Sequence, residues 1–157
     1  MQANIVQYNN KRSRKERAVS KRINDAFLNH YIELDRLLGG RFGAIAGGVT
    51  EYVNRLNNAK YAAGKDEVLP RLVRYRNIRN RFAHEPGAIR KSDELTRADV
   101  KWIIRFKHDV AKKRDPLSRY LRKARRYALR KRAYRYLIAG TIGAVVIAAL
   151  VLCIVYL

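Results

Sequence analysis

Val19-Ser-Lys-Arg-Ile23-Asn-Asp-Ala26-Phe27-Leu-Asn-His-Tyr31-Ile-Glu-Leu34-Asp-Arg-Leu37-Leu38-Gly39-Gly40 decides the fold class. Its apolar residues at 19, 23, 26, 27, 31, 34, 37 and 38 recur at helical spacing and form one stripe. Gly39 and Gly40 are expected to end that helix, and the glycine-rich loop to Gly48 lacks the Gly-Lys-Ser/Thr ending of a phosphate-cradling loop. It reads as a connector. Val49, Tyr52, Val53 and Leu56 share a face of a second, shorter helix.

A third helix is predicted to start near Asp66 as N-cap, with Pro70 in or near its first turn and Val68, Leu72, Tyr75 and Phe82 on its apolar face. Pro86-Gly87 stops it by Glu85. A fourth begins at Thr96, with Asp99 completing a capping box and Val100, Ile103, Ile104 and Val110 or Ala111 as its stripe. Asp115 caps a last helix whose first position is Pro116, and Leu117, Tyr120, Leu121, Ala124 and Tyr127 follow along it. No segment alternates with period two, so strands have no support. The expectation is an all-α chain: a four-helix up-down bundle over 1–115, a basic helix over 116–136, and a single transmembrane helix over 137–157.

The last segment carries 21 residues without a charge. At about 1.5 Å per residue it reaches roughly 31 Å, enough for a hydrocarbon core of about 30 Å. Tyr134, Tyr136 and Tyr156 flank it as interfacial aromatics would. The basic block before it places the N-terminal side in the cytoplasm and the C-terminus outside, with no signal peptide in Met1–Asn10. Cys153 is the single cysteine, which allows no intrachain disulfide.

Charge points to polyanionic partners. The chain has 35 Lys and Arg against 13 Asp and Glu, a net +22. Residues 112–136 hold 12 bases and one acid, so half of that excess lies beside the apolar segment and half elsewhere. The excess favours nucleic acid or an anionic lipid surface; nearness to a membrane explains the first half, and the second needs its own account. The N-terminal run Lys11-Arg12-Ser-Arg14-Lys15-Glu-Arg17 opposes a helix dipole and reads mainly as a solvated arm.

The densest polar cluster is Arg74-Tyr-Arg76-Asn77-Ile-Arg79-Asn80-Arg81-Phe-Ala-His84-Glu85. Arg76, Asn80 and His84 are four apart and stack on one face. Arg79 lies five before His84, about 140° away around the helix, so one helix alone does not bring them together. An imidazole beside guanidinium groups suits RNA cleavage, in which a base takes the 2′-hydroxyl proton and cations stabilise charge building on phosphorus. His30, His84 and His108 are far apart in sequence with no accompanying Cys or carboxylate cluster, so neither metal nor cofactor is expected.

Arg79-Asn80-Arg81-Phe82-Ala83-His84 resembles the R-x(4–6)-H signature of the HEPN superfamily, and the wider phrase from Arg76 to Gly87 is similar to that of small bacterial HEPN-like proteins. The resemblance spans roughly residues 15–112. It implies an all-helical, typically dimeric protein and a metal-independent endoribonuclease of toxin or defence type. Its composite site would be built by two protomers, with an antitoxin or regulator as a possible further partner. By resemblance, Arg79 would polarise the scissile phosphate, His84 would act as acid or base, and Asn80 would orient the group. Arg76, Arg81 and Arg74 are the candidate RNA or phosphate contacts. A non-catalytic HEPN-like scaffold that binds RNA or a partner at the membrane stays open, as does an anionic-lipid-binding membrane protein.

Overall fold

The computed structural model describes residues 2–156, with the side chains of residues 2–15 and of Val146, Ala148, Ala149, Val151 and Val155 outside the description. The chain is all-helical. Its elements are α1 (Gln2–Phe42), α2 (Gly48–Asn58), α3 (Lys65–His84), α4 (Ala88–Lys91), α5 (Arg97–Ala111) and α6 (Pro116–Tyr156), with no strand among the described residues. It divides into two compact units, Met1–Arg119 and Tyr120–Leu157.

In the first unit the expected stripes form the core. Phe27, Tyr31, Leu34 and Leu38 of α1 are buried with Val49, Tyr52, Val53 and Leu56 of α2 and with Val68, Leu72, Tyr75, Ile78 and Phe82 of α3. Val19 and Leu37, expected on the same α1 stripe, are exposed. On α5 the core residues are Trp102, Ile103, Phe106 and Val110, whereas Ile104 points to solvent. Trp102 and Phe106 are required by a run of ring contacts through four helices. Phe27 meets Tyr75 edge-on at 5.0 Å, Tyr75 meets Trp102 at 5.5 Å, Trp102 stacks on Phe106 at 4.9 Å, and Phe106 meets Tyr52 at 5.6 Å. Each such pair adds about 0.5–1.5 kcal/mol beyond its buried area.

Two helix boundaries differ from expectation. α1 runs through Gly39 and Gly40 to Phe42. It stops at Gly43, whose φ of 69° lets Ala44 N–H reach back 3.0 Å to the Gly39 carbonyl. The reason lies across the loop. A Cβ on Gly48 would sit 2.2 Å from the Asp35 carbonyl oxygen and 2.3 Å from the Gly39 nitrogen, so α1 and α2 pack backbone to backbone there. Asp35 Oδ1 completes the joint by accepting from Val49 N–H at 2.8 Å, capping α2 from a neighbouring helix. α3 starts two residues early, at Lys65, with Gly64 at φ 85° as its N-cap; Asp66 sits in the first turn and is not the cap.

Elsewhere the local signals hold. Thr96 and Asp99 form the reciprocal capping box at the start of α5. Asp115 accepts from Ser118 N–H at 3.0 Å and caps α6. Asp115 is 1% exposed, and its carboxylate also takes the Tyr52 hydroxyl at 3.0 Å and Arg41 Nη1 at 3.2 Å. Burial first, and the Asp115 charge second, push the Tyr52 hydroxyl far above its ordinary pKa, so it remains a donor. Because Leu117 and Ser118 are buried in this joint, the first turn of α6 belongs to the first unit.

The second unit is the remainder of α6. Among the described residues no helix is long and apolar enough to cross a membrane. Six side chains of the uncharged run 137–157, those of Val146, Ala148, Ala149, Val151, Val155 and Leu157, lie outside them. The side chains of the basic arm at Lys11, Arg12, Arg14 and Lys15 do so too.

Candidate active site

α3 owes its rotational setting to Leu72, Tyr75, Ile78 and Phe82, which anchor one side of it in the core. That leaves Arg79, Asn80 and His84 exposed and Arg76 half-buried. His84 is the last residue of the helix, and Glu85 leaves helical geometry with its N–H still bonded to the Arg81 carbonyl at 2.9 Å.

His84 opens onto a cleft of about 490 Å³ whose polar lining is Lys21 and Asp25 of α1, Glu85, and Arg90 of α4. Phe82, Pro86 and Gly87 supply apolar wall. The cleft's outer side is α4, a single turn that holds its place through Asn24. This buried amide donates both hydrogens, to the Ile89 and Ser92 carbonyls, each at 2.8 Å. Its own Oδ1 is buried and has no partner among the described residues. Two cations, Lys21 and Arg90, and two carboxylates, Asp25 and Glu85, therefore share the space beside one imidazole.

Arg79 is not part of that cleft. Its Nη1 lies 3.5 Å from Asn80 Oδ1. Its charge, with that of Arg76, acts on the Tyr31 hydroxyl, which burial and then Asp35 nevertheless drive well above its ordinary pKa. Tyr31 and Asp35 stand ten residues along α1 from Lys21 and Asp25, about 15 Å on a straight helix. Within one chain, then, the guanidinium and the imidazole serve adjoining but separate surfaces.

The other candidate cations differ in freedom. Arg74 donates to Asp99 Oδ1 at 3.1 Å and to the Glu94 carbonyl at 2.6 Å, and Arg81 pairs with the Glu94 carboxylate. Both guanidiniums tie α3 to the segment before α5. Among the described residues Arg76 has no acidic partner of this kind. Asp99 is held below the usual carboxylate range. Burial pushes it up, but the Thr96 hydroxyl and N–H, the Tyr75 hydroxyl and the Arg74 charge outweigh that.

Lys21, Asp25 and Arg90 escape sequence reading. The first two are four apart on α1, a spacing that marks a shared face, yet nothing local says which neighbour they meet. Arg90 belongs to a helix too short to show a period. No group of three or more His, Cys, Asp or Glu side chains converges among the described residues.

The model of a family of unknown function (DUF6548) matches residues 25–139, well over half of the chain. The chain belongs to that family. No curated protein and no solved structure matches it. The DUF6548 match takes in α2 to α5 whole, the polar cluster of α3 with the His84 cleft's α4 wall, and the basic part of α6.

Proposed function

We propose that this DUF6548 chain is a HEPN-like, metal-independent endoribonuclease of toxin or defence type, with a four-helix bundle held at a membrane by residues 137–157. Its bundle faces the cytoplasm and its C-terminus lies outside. The observation that carries the catalytic reading is His84 standing at the mouth of a cleft lined by Lys21 and Arg90. His84 takes the 2′-hydroxyl proton of RNA, and the 2′-oxygen bonds to phosphorus. The P–O5′ bond breaks as water gives the leaving 5′-oxygen a proton and the His84 imidazolium returns one to solvent, leaving a 2′,3′-cyclic phosphate. Lys21 and Arg90 hold the flanking phosphates, and Arg79, steadied by Asn80, stabilises the charge that develops on the phosphoryl oxygens. Arg79 comes from a second copy, since in one chain it serves a separate surface. Arg76 extends the phosphate track, while Arg74 and Arg81 chiefly order the domain. The span rests on the uncharged run 137–157, and anionic lipid meets the adjacent bases at the headgroup level.

The test is RNA cleavage by the detergent-solubilised chain as wild type, as Arg79→Ala, as His84→Ala, and as a mixture of the two variants. Each variant alone is inactive. An equal mixture that exchanges subunits recovers about a quarter of wild-type activity, because half of the dimers are mixed and one of their two sites is intact. Wild-type chain that leaves all RNA whole overturns the reading; His84→Ala chain that still cleaves does the same. The separation of Arg79 from His84 favours one second reading, a non-catalytic scaffold, whose salt-sensitive RNA binding would ignore His84→Ala.

A further inference from the structure

α6 carries a feature that catalysis does not use and that anchoring uses only at its last residue. Between Tyr120 and Tyr136 it holds eight Lys and Arg and no acid. These are not spread evenly. Tyr120, Lys123, Tyr127, Arg130 and Tyr134 follow one another at alternating steps of three and four residues. On a helix turning 100° per residue they share an arc of about 80°. The result is a ladder of ring, cation, ring, cation, ring. Tyr120 is half-buried, while Tyr127 and Tyr134 are 71% and 67% exposed.

Exposed rings of this size call for an explanation, and the membrane accounts for only the last of them. The headgroup layer extends about 5–7 Å past the hydrocarbon on each side. Counting back from Leu137 at about 1.5 Å per residue, Tyr134 lies about 4.5 Å out, Tyr127 about 15 Å and Tyr120 about 25 Å. A tilt of about 20° shortens these figures by less than a tenth. Tyr127 and Lys123 thus stand in water, beyond the reach of lipid headgroups. Two copies of the ladder repel each other, since every second rung is a cation and no acid is near. What fits is a polyanion that also offers flat faces. Single-stranded RNA has both, whereas a duplex hides its base faces in the stack. Successive tyrosines are about 10.5 Å apart, and a stacked strand rises about 3.4 Å per nucleotide, so each ring meets every third base with a cation between.

We infer that the Tyr120–Lys123–Tyr127–Arg130–Tyr134 face of α6 is a docking rail for single-stranded RNA. It deepens the proposed ribonuclease by naming where the substrate strand is held, and it rests on that reading for the position of the membrane edge. The experiment uses the full chain in phosphatidylcholine nanodiscs, in the His84→Ala background so that the probe is not consumed. Fluorescence anisotropy reads its affinity for a labelled oligoadenylate of about 16 nucleotides and for an RNA duplex of equal length.

The single strand binds more tightly than the duplex. Tyr127→Ala weakens single-strand binding about tenfold with less than about twofold effect on the duplex, and Tyr127→Phe, which keeps the ring, binds as the parent does. Equal affinity for strand and duplex overturns the inference, and so does Tyr127→Ala with single-strand affinity unchanged. Displacement of the oligonucleotide by phosphatidylserine in the discs names lipid as the occupant and overturns it as well. A chain with His84 that cleaves RNA but ignores Tyr127→Ala loses the rail and keeps the active site. Tyr127-dependent binding by a chain that cleaves nothing does the reverse.

Discussion

Gly48→Ala is the sharpest perturbation available to the fold, because the added methyl has nowhere to go. Its Cβ would lie 2.2 Å from the Asp35 carbonyl oxygen, 2.3 Å from the Gly39 nitrogen and 2.9 Å from the Leu38 carbonyl carbon. All three are backbone atoms inside α1, so no side-chain rotation relieves them. α1 and α2 must separate by roughly 1 Å to restore ordinary contact. That stretches the 2.8 Å bond from Val49 N–H to Asp35 beyond use. Overpacking costs about 1–3 kcal/mol and the lost cap about 1, while alanine returns up to about 1 through helix propensity. The net is about 2 kcal/mol. At roughly 4 °C per kcal/mol for a domain of this size, the melting midpoint falls by about 8 °C. Gly40→Ala is the matched control. Its Cβ meets nothing within 4 Å and its position is helical, so it gains about 0.5–1 kcal/mol. Circular dichroism melts of the full chain in detergent read both. A Gly48→Ala midpoint at or above wild type would refute backbone contact between the two helices.

Two further predictions concern the site's supports. Asn24→Ala removes both donors that hold α4, so amide exchange over residues 88–92 quickens at least about tenfold, one lost hydrogen bond's worth, while α5 amides keep their protection. Exchange measured by mass spectrometry checks it, and unchanged protection would mean that α4 is held otherwise. Asp99 is the pH-sensitive support. Its folded pKa lies below its unfolded value, so its contribution is complete above about pH 5 and fades as pH falls through the folded pKa. Asp99→Asn therefore lowers stability at pH 7 and flattens the loss seen below about pH 4 in urea melts. Parallel curves for the two proteins would contradict that assignment.

What the sequence disclosed follows the range of the forces involved. Helical class, the capping box at Thr96 and the start at Asp115-Pro116 are set by groups within three residues of each other, and each is where local chemistry puts it. The end of α1 is not local. Gly39 and Gly40 look like a stop, yet Gly48 of α2 lies directly against the Gly39 backbone, and that contact is invisible until α2 is in place. Trp102 and Phe106 are absent from the expected stripe for a similar reason. Their burial depends on rings from α2 and α3. In the candidate site, the arginines and His84 are legible as a cluster, but which of them are bound to acids is decided by Glu94 and Asp99 across a turn. Lys21 and Arg90 enter only when α4 folds back on α1.

The buried carboxylate of Asp115 determines where this molecule tolerates being severed. A cut just before Pro116 discards Ser118, which donates through its N–H and accepts from Arg41 at 2.8 Å, together with the buried Leu117. It also sets a new chain-end negative charge beside the one that Arg41 and Tyr52 already neutralise. Taking from a buried carboxylate the two hydrogen bonds that Ser118 gives it costs about 1.5–3 kcal/mol each, a large share of what a small domain has in reserve. A tail-free version must therefore carry the first turn of α6, through Arg119, if silence in an RNA assay is to mean anything other than an unfolded protein.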